Sequence, residues 1–328
     1  MKWFLGTILA HLHTCIFDVA TTASKMLPSI ILVVFYSVLK VHSSNNNLIK
    51  YEVAFESSNN VQTLSRTVIN ANSDFFRVTI KENLPELRKG MLNITQLENL
   101  QMNNVNLQYM ETGVFDNQNI SHISLVGNKL TRIQSKMFNN LPTKTLYLGD
   151  NEITVIEKGA FMNMLQLYML ILSENKLTQI SSGYFVNTPH ISILDIGFNR
   201  ITKIEEGCFG FMTEEDLTIR INHNAVDEIH PTGFENLNIM QLCLIENLIR
   251  DVPEELFTKN KIEMLQLDYN QVEELPDAFY GVNSTVEKLM LRSNPLKCET
   301  VEKLLEFSEK SGSSCFLDQD CYTRCRLN

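Results

Sequence analysis

Histidine is the side chain best suited to moving protons near neutral pH, and downstream of residue 43 the chain carries His122, His190, His223 and His230. None stands in an HExxH pair, a metal-ligand spacing or a GxSxG-type nucleophile motif, and no glycine-rich phosphate loop occurs. The sequence therefore offers no catalytic residue, no metal set and no cofactor site, and it reads as a non-enzyme. Its sulfur chemistry is richer. Cys298, Cys315, Cys321 and Cys325 crowd the C-terminus. They can form two disulfides in three ways, among which sequence does not choose, and zinc is disfavoured because no CxxC pair is present. Cys208, beside Phe209, reads as a buried thiol. Cys243 falls at an outward strand position and reads as a thiol exposed on a sheet face, so Cys243 and Cys325 are candidates for a bond to a second chain. Three N-glycosylation sequons, at Asn93, Asn119 and Asn283, fit passage through the secretory pathway, where disulfides persist.

Composition and leader agree with that compartment. With 28 Lys and Arg against 38 Asp and Glu, the net charge of −10 argues against a phosphate-tracking nucleic-acid binder or a basic membrane-surface module. A hydrophobic content of 44% is too high for a disordered chain. Two apolar stretches, 3–17 and 30–39, open the sequence, and the second is followed by Val41 and Ser43 at the small-residue positions a signal peptidase reads. Residues 1–43 are expected to be an N-terminal extension plus signal peptide, with translation starting at Met26 or Met1. A signal anchor is the competing reading, but an apolar core of about 10 residues is too short to cross about 30 Å of hydrocarbon as a helix. The mature protein is expected to be secreted, with no stable membrane span.

The elements that position all these groups repeat. Asn128, Asn151, Asn175, Asn199, Asn224, Asn247, Asn270 and Asn294 are spaced by 23 to 25 residues. Five before each stands Ile123, Leu146, Leu170, Leu194, Ile219, Leu242, Leu265 or Leu289, and three before each another large aliphatic. Two after come Leu130 through Leu296, and ten after come Phe138, Phe161, Phe185, Phe209, Phe234, Phe257 and Tyr280. An earlier unit has Val105 where the Asn should stand, and a degenerate one fits Phe75, Val78, Ile80 and Asn83. A coiled coil would repeat at 3.5 residues; this unit mixes period two with one aromatic per turn of the repeat. Each Leu-x-Leu is a short strand with its aliphatics inward, and about ten such strands at about 4.8 Å make a parallel sheet roughly 45 Å long, buried against the returning Phe column. An inward Asn offers both donor and acceptor to the turns of adjacent units. Val105 cannot, so the first units should be held less rigidly.

These columns resemble the extracellular leucine-rich repeat. The resemblance implies an α/β solenoid, a curved horseshoe with a parallel β-sheet on its concave face. It also implies about ten units over 75–297, an N-terminal cap over 44–74 and a cysteine-containing helical C-cap over 298–328. The N-terminal cap has no cysteine, so the alternating residues 51–55 are expected as a plain edge strand. In the C-cap, Val301, Leu304 and Leu305 make one helical apolar face, and Thr300 stands where the usual pattern has a second cysteine.

With no chemistry to perform, the outward strand positions become the candidate binding face. Those six, four and two before the Asn are expected to be polar, yet they include Tyr147, Met169, Ile171 and Ile193, then Cys243, Ile245, Met264 and Met290. Exposed apolar clusters of this kind often mark protein interfaces. Asp195, Arg220, Asp268 and Arg292 lie among them with both signs of charge. The sequons fall in the connectors, leaving this face uncovered. Taken together, the leader, the repeats, the cysteine-free N-cap and the terminal cysteine cluster are similar to the insect, especially mosquito, leucine-rich repeat immune proteins of a short or coil-less type. That resemblance implies innate immune recognition in haemolymph. It further implies partners among thioester-containing complement-like proteins or another leucine-rich repeat chain, and in some members disulfide-linked dimers. A cell-surface or matrix protein for adhesion or signalling is the alternative.

Overall fold

The computed structural model describes residues 48–53, 75–80, 83–92, 97–281, 284–319 and 325. Residues 1–43 with both starts, 44–74 apart from 48–53, Asn93, Asn283 and Cys321 lie outside the described residues.

Period-two alternation makes each Leu-x-Leu a strand. In chain order these are β1 (Leu48–Val53), β2 (Phe75–Ile80), β3 (Leu97–Gln101), β4 (Ile120–Ser124), β5 (Thr145–Tyr147), β6 (Met169–Ile171), β7 (Ile193–Asp195), β8 (Leu217–Arg220), β9 (Asn238–Cys243), β10 (Lys261–Gln266), β11 (Lys288–Met290) and β12 (Ser314–Phe316). They form one sheet in sequence order, every neighbouring pair parallel. The chain therefore advances one strand per unit, as a solenoid must. Register aligns Leu146, Leu170, Leu194 and Ile219 in one column, and this inward column is fully buried from Ile123 to Leu289.

The asparagines hold the turns. Asn175 Nδ2 donates to Leu172 O (3.0 Å) in its own unit and to Leu148 O (2.9 Å) in the unit before, while its Oδ1 accepts the Ile153 N–H (2.9 Å). The same three bonds recur at Asn151, Asn199, Asn224, Asn247, Asn270 and Asn294. Asn128 is the first rung and accepts from both Val105 and Leu107. The missing rung at Val105 leaves no orphaned donor, because the residue that would bond to it is Pro85, which has no N–H. Asn83 is exposed and accepts from Asn106 Nδ2 at 2.9 Å instead of joining the ladder.

Behind the sheet, Phe115, Phe138, Phe161 and Phe185 stack with centroids 5.4 to 5.8 Å apart. Strands repeat at only about 4.8 Å. The back is wider per unit than the front, which bends the sheet onto the concave side. The column breaks after Phe185, whose ring meets Phe211 at 3.9 Å, while Phe209 stacks on Phe234. At the last unit the sequence alignment is off by one. A 3₁₀ turn, Asp277–Tyr280, puts Phe279 in the core and leaves Tyr280 partly buried, its ring edge-on to Phe279 and Phe307 at 5.1 and 6.0 Å and its phenol pushed up by burial.

The helix Cys298–Ser311 closes that end. It buries Thr300, Val301, Leu304 and Phe307, leaving Leu305 half-buried, and ends at Gly312 with φ +76°, the left-handed conformation that favours glycine. Phe307 packs on Phe279 at 4.8 Å, so the helix continues the ring column into the cap. Cys298 is disulfide-bonded to Cys325, Cα to Cα 5.1 Å. This settles one pairing that the sequence left open and removes Cys325 as a link to a second chain, since its sulfur is engaged within its own cap. Cys315, in β12, is a half-buried free thiol that burial pushes up to about 11.

Candidate binding face

Two outward columns run across the concave sheet, and register shows which residues are neighbours. In the middle, Met169 lies beside Ile193, and Tyr147 beside Ile171, which lies beside Asp195. Tyr147 OH reaches Met169 Sδ at 3.4 Å. The four apolar side chains predicted here are therefore one contiguous half-buried band rather than scattered residues.

The second predicted group continues the same columns. Asp195, Arg220 and Cys243 are successive neighbours, and Met264 and Met290 lie one and two strands beyond. Burial pushes the Asp195 carboxyl above its ordinary value, while the Gly197 N–H (3.0 Å) and Arg220 pull it back. Gln241 donates to Gln266 (2.7 Å), and Gln266 to Met290 Sδ (3.2 Å), tying three strands together. Two expectations change. Cys243 does lie in the outward column, but it is only 7% exposed and burial pushes its thiol up. The long side chains of Arg220 and Gln266 flank it in register, so it is a covered thiol and not an exposed one. Asp268 is likewise buried, because its Oδ1 accepts the Arg292 N–H (2.9 Å), a bond that shapes the turn after β10. Ile245 is half-buried beside it, and Arg292 is exposed with its guanidinium 5.9 Å from the Phe316 ring.

The fold also builds a rim that the periodicity did not single out. The residue before each ladder Asn has a positive φ, 51° to 57° from Asp150 to Ser293, because the chain must turn sharply off the sheet. Glycine or asparagine suits that conformation. Here Phe198 and Tyr269 occupy it, 47% and 56% exposed. Phe198 stacks on His223 at 4.0 Å, and His223 Nδ1 meets Glu246 at 2.8 Å. A large residue at a position that favours a small one was the available signal.

The remaining sequence candidates are placed as follows. Asn119 is exposed immediately before β4. Cys208 is buried, its thiol pushed up to about 12 by burial, with Sγ 3.9 Å from Gly233 O. His190 pairs with Glu214 at the surface, and His230 with Thr232. Among the described residues no group of three or more His, Cys, Asp and Glu could hold a metal, and no helix is long and apolar enough to cross a membrane.

Known proteins share this architecture. A leucine rich repeat profile matches residues 143–201 and 165–214, and a profile for the BspA type leucine rich repeat region (6 copies) matches 46–143 and 202–303, well over half the chain. A comparison with curated proteins found no match. Among solved structures the chain is similar to Toll in the Drosophila Toll–Spatzle complex, described as a molecular hub in development and innate immunity. There it is 21% identical with a TM-score of 0.58, over 69% of this chain and 32% of that one. It is similar to the leucine-rich repeat domain of the mosquito APL1B at 21% identity and a TM-score of 0.51, over 60% of this chain and 57% of that one. The chain thus spans about a third of the first structure's length and little more than half of the second's. At these identities the likeness is one of fold.

Proposed function

This chain belongs to the leucine-rich repeat family, and from that membership we propose that it is a secreted, non-enzymatic scaffold that captures a protein partner on its concave face. The observation that carries the reading is the contiguous band Tyr147, Met169, Ile171 and Ile193, followed in register by Asp195 and Arg220. An apolar centre edged by both signs of charge, on a sheet fixed by an asparagine ladder, gives a rigid anchor whose ordering cost is already met by the fold. Met264 and Met290 extend the surface with side chains that adapt to a partner's shape. The repeat body over 75–297, between caps at 44–74 and 298–328, presents this face.

Two further observations support an extracellular setting, the Cys298–Cys325 disulfide and the exposed sequon at Asn119. Toll, similar in fold, is seen in complex with Spatzle at a hub of innate immunity. By that likeness, the proposed role is innate immune recognition, with a thioester-containing complement-like protein or another leucine-rich repeat chain as partner. The test is to express the chain in insect cells, sequence its N-terminus from the medium and mix it with a purified thioester-containing haemolymph protein or a second leucine-rich repeat chain. A start near Ser44 and a co-eluting complex, lost in the Met169→Asp, Ile193→Asp double variant, are expected. A membrane-retained chain, or one that co-elutes with neither partner, would overturn the reading.

A further inference from the structure

The N-terminal part of the concave sheet differs in chemistry from the apolar band. Asn99, His122 and Thr145 stand side by side on β3, β4 and β5, and Gln101, Ser124 and Tyr147 form the parallel column. Three strands at about 4.8 Å, with two outward residues about 6.7 Å apart on each, make a grid of about 10 by 7 Å. These six side chains line a hollow of about 410 Å³, within the range of small-ligand sites.

The lining supplies amides, hydroxyls, an imidazole and a phenol, and it contains no carboxylate, ammonium or guanidinium. An anion would call for Arg or Lys and a cation for carboxylates, while a wholly apolar ligand would displace water from a polar lining and give its side chains nothing in return. What fits is an uncharged molecule dense in hydroxyls, each able to donate and accept, with a ring of C–H groups to lie against Tyr147. We propose that this hollow binds a neutral saccharide. The site is pre-oriented: His122 Nδ1 lies 2.7 Å from Thr145 Oγ1, and Ser124 Oγ donates to Asn103 Oδ1 at 2.8 Å, so little rotamer freedom is lost on binding. It does not rest on the protein-binding reading, and either activity can fail without the other.

The test uses the full secreted chain and a panel of chito-, manno- and gluco-oligosaccharides, with a heparin tetrasaccharide as the anionic control, followed by saturation-transfer NMR and calorimetry. Binding of at least one neutral oligosaccharide in the millimolar range or tighter is expected, weakened at least about tenfold by Asn99→Leu or Gln101→Leu. Gln241→Leu, in the column of Asn99 six strands along, should leave it unchanged, and thermal melts confirm that each variant is folded. Binding seen only after Asn119→Gln removes the neighbouring sequon would support the same chemistry with the chain's own glycan as the source. No binding in either background overturns the proposal, as does equal binding of the heparin fragment or full retention in both grid variants.

Discussion

Leu170 and Ile171 are adjacent in β6, yet the first is sealed in the core and the second stands half-open on the concave face. The whole sheet repeats this division. Inward columns carry nearly one residue type from unit to unit, because every unit must fill the same space against the same neighbours. Outward columns run from amides and hydroxyls through Tyr147 and Ile171 to Asp195, Arg220 and Gln266. Packing asks less of one residue type there, so the types vary from unit to unit. The inward set makes the scaffold, and the proposed reading assigns the partner to the outward set.

Breaking the inward column should cost most. Leu170→Ala is expected to lose about 2–5 kcal/mol, against less than about 1 kcal/mol for Ile171→Ala one residue on, both measured by urea unfolding. Equal losses would erase the distinction. Next comes the ladder. Asn175→Ala strands the Ile153 N–H and takes one of two amide donors from each of the Leu148 and Leu172 carbonyls, which keep Asn151 and Asn199, and should cost about 1–3 kcal/mol. The half-buried Asn163, outside the ladder and bonded to Asn139, Asn140 and Asn187, is the control; replaced by Gly, which keeps its φ of 57°, it should cost less than about 1 kcal/mol.

Much of this was legible in one dimension. Asn128 through Asn294 and the aliphatics around them fixed the fold, because a solenoid writes its packing as a period. What escaped depends on neighbours from different units. Pro85 and Val105 are matched as a missing donor and a missing acceptor only once they are stacked. Thr143, Asn260 and Thr285 each bond to the unit before, through Ile120 O, Leu237 N–H and Ile262 N–H, but their differing types break the pattern. The polar grid of Asn99, Gln101, His122, Ser124 and Thr145 gave no signal, since polar residues at outward positions are the expectation. Cys243 reads as exposed from its position alone; the residues that cover it belong to β8 and β10.

Smaller effects sharpen the comparison at the rim and on the face. Tyr269→Asn relieves a bulky side chain of a φ of 57° where it is 56% exposed, and should raise stability by up to about 1 kcal/mol in thermal melts. A loss would mean that the ring packs more firmly than its exposure implies. The smallest effect depends on pH. Burial holds the Asp195 carboxyl above its ordinary 3.8, so the folded state binds this proton more tightly than the unfolded state does. Stability from this group is accordingly present at low pH and is lost as pH rises through the raised value. Asp195→Asn removes that loss. Relative to wild type it should gain stability from about pH 3.8 upward and then hold a constant margin, whereas parallel pH profiles would contradict the assignment.

The central claim is that the outward concave columns bind while the back of the solenoid only supports them. A matched pair tests it most directly: Ile171→Asp on β6 and Val155→Asp on the two-residue strand Val155–Ile156, outside the large sheet. Affinity for the purified thioester-containing protein would be measured by interferometry on variants shown to melt as wild type does. The account predicts at least about a tenfold loss for Ile171→Asp and none for Val155→Asp. Equal affinities for the two variants would contradict it.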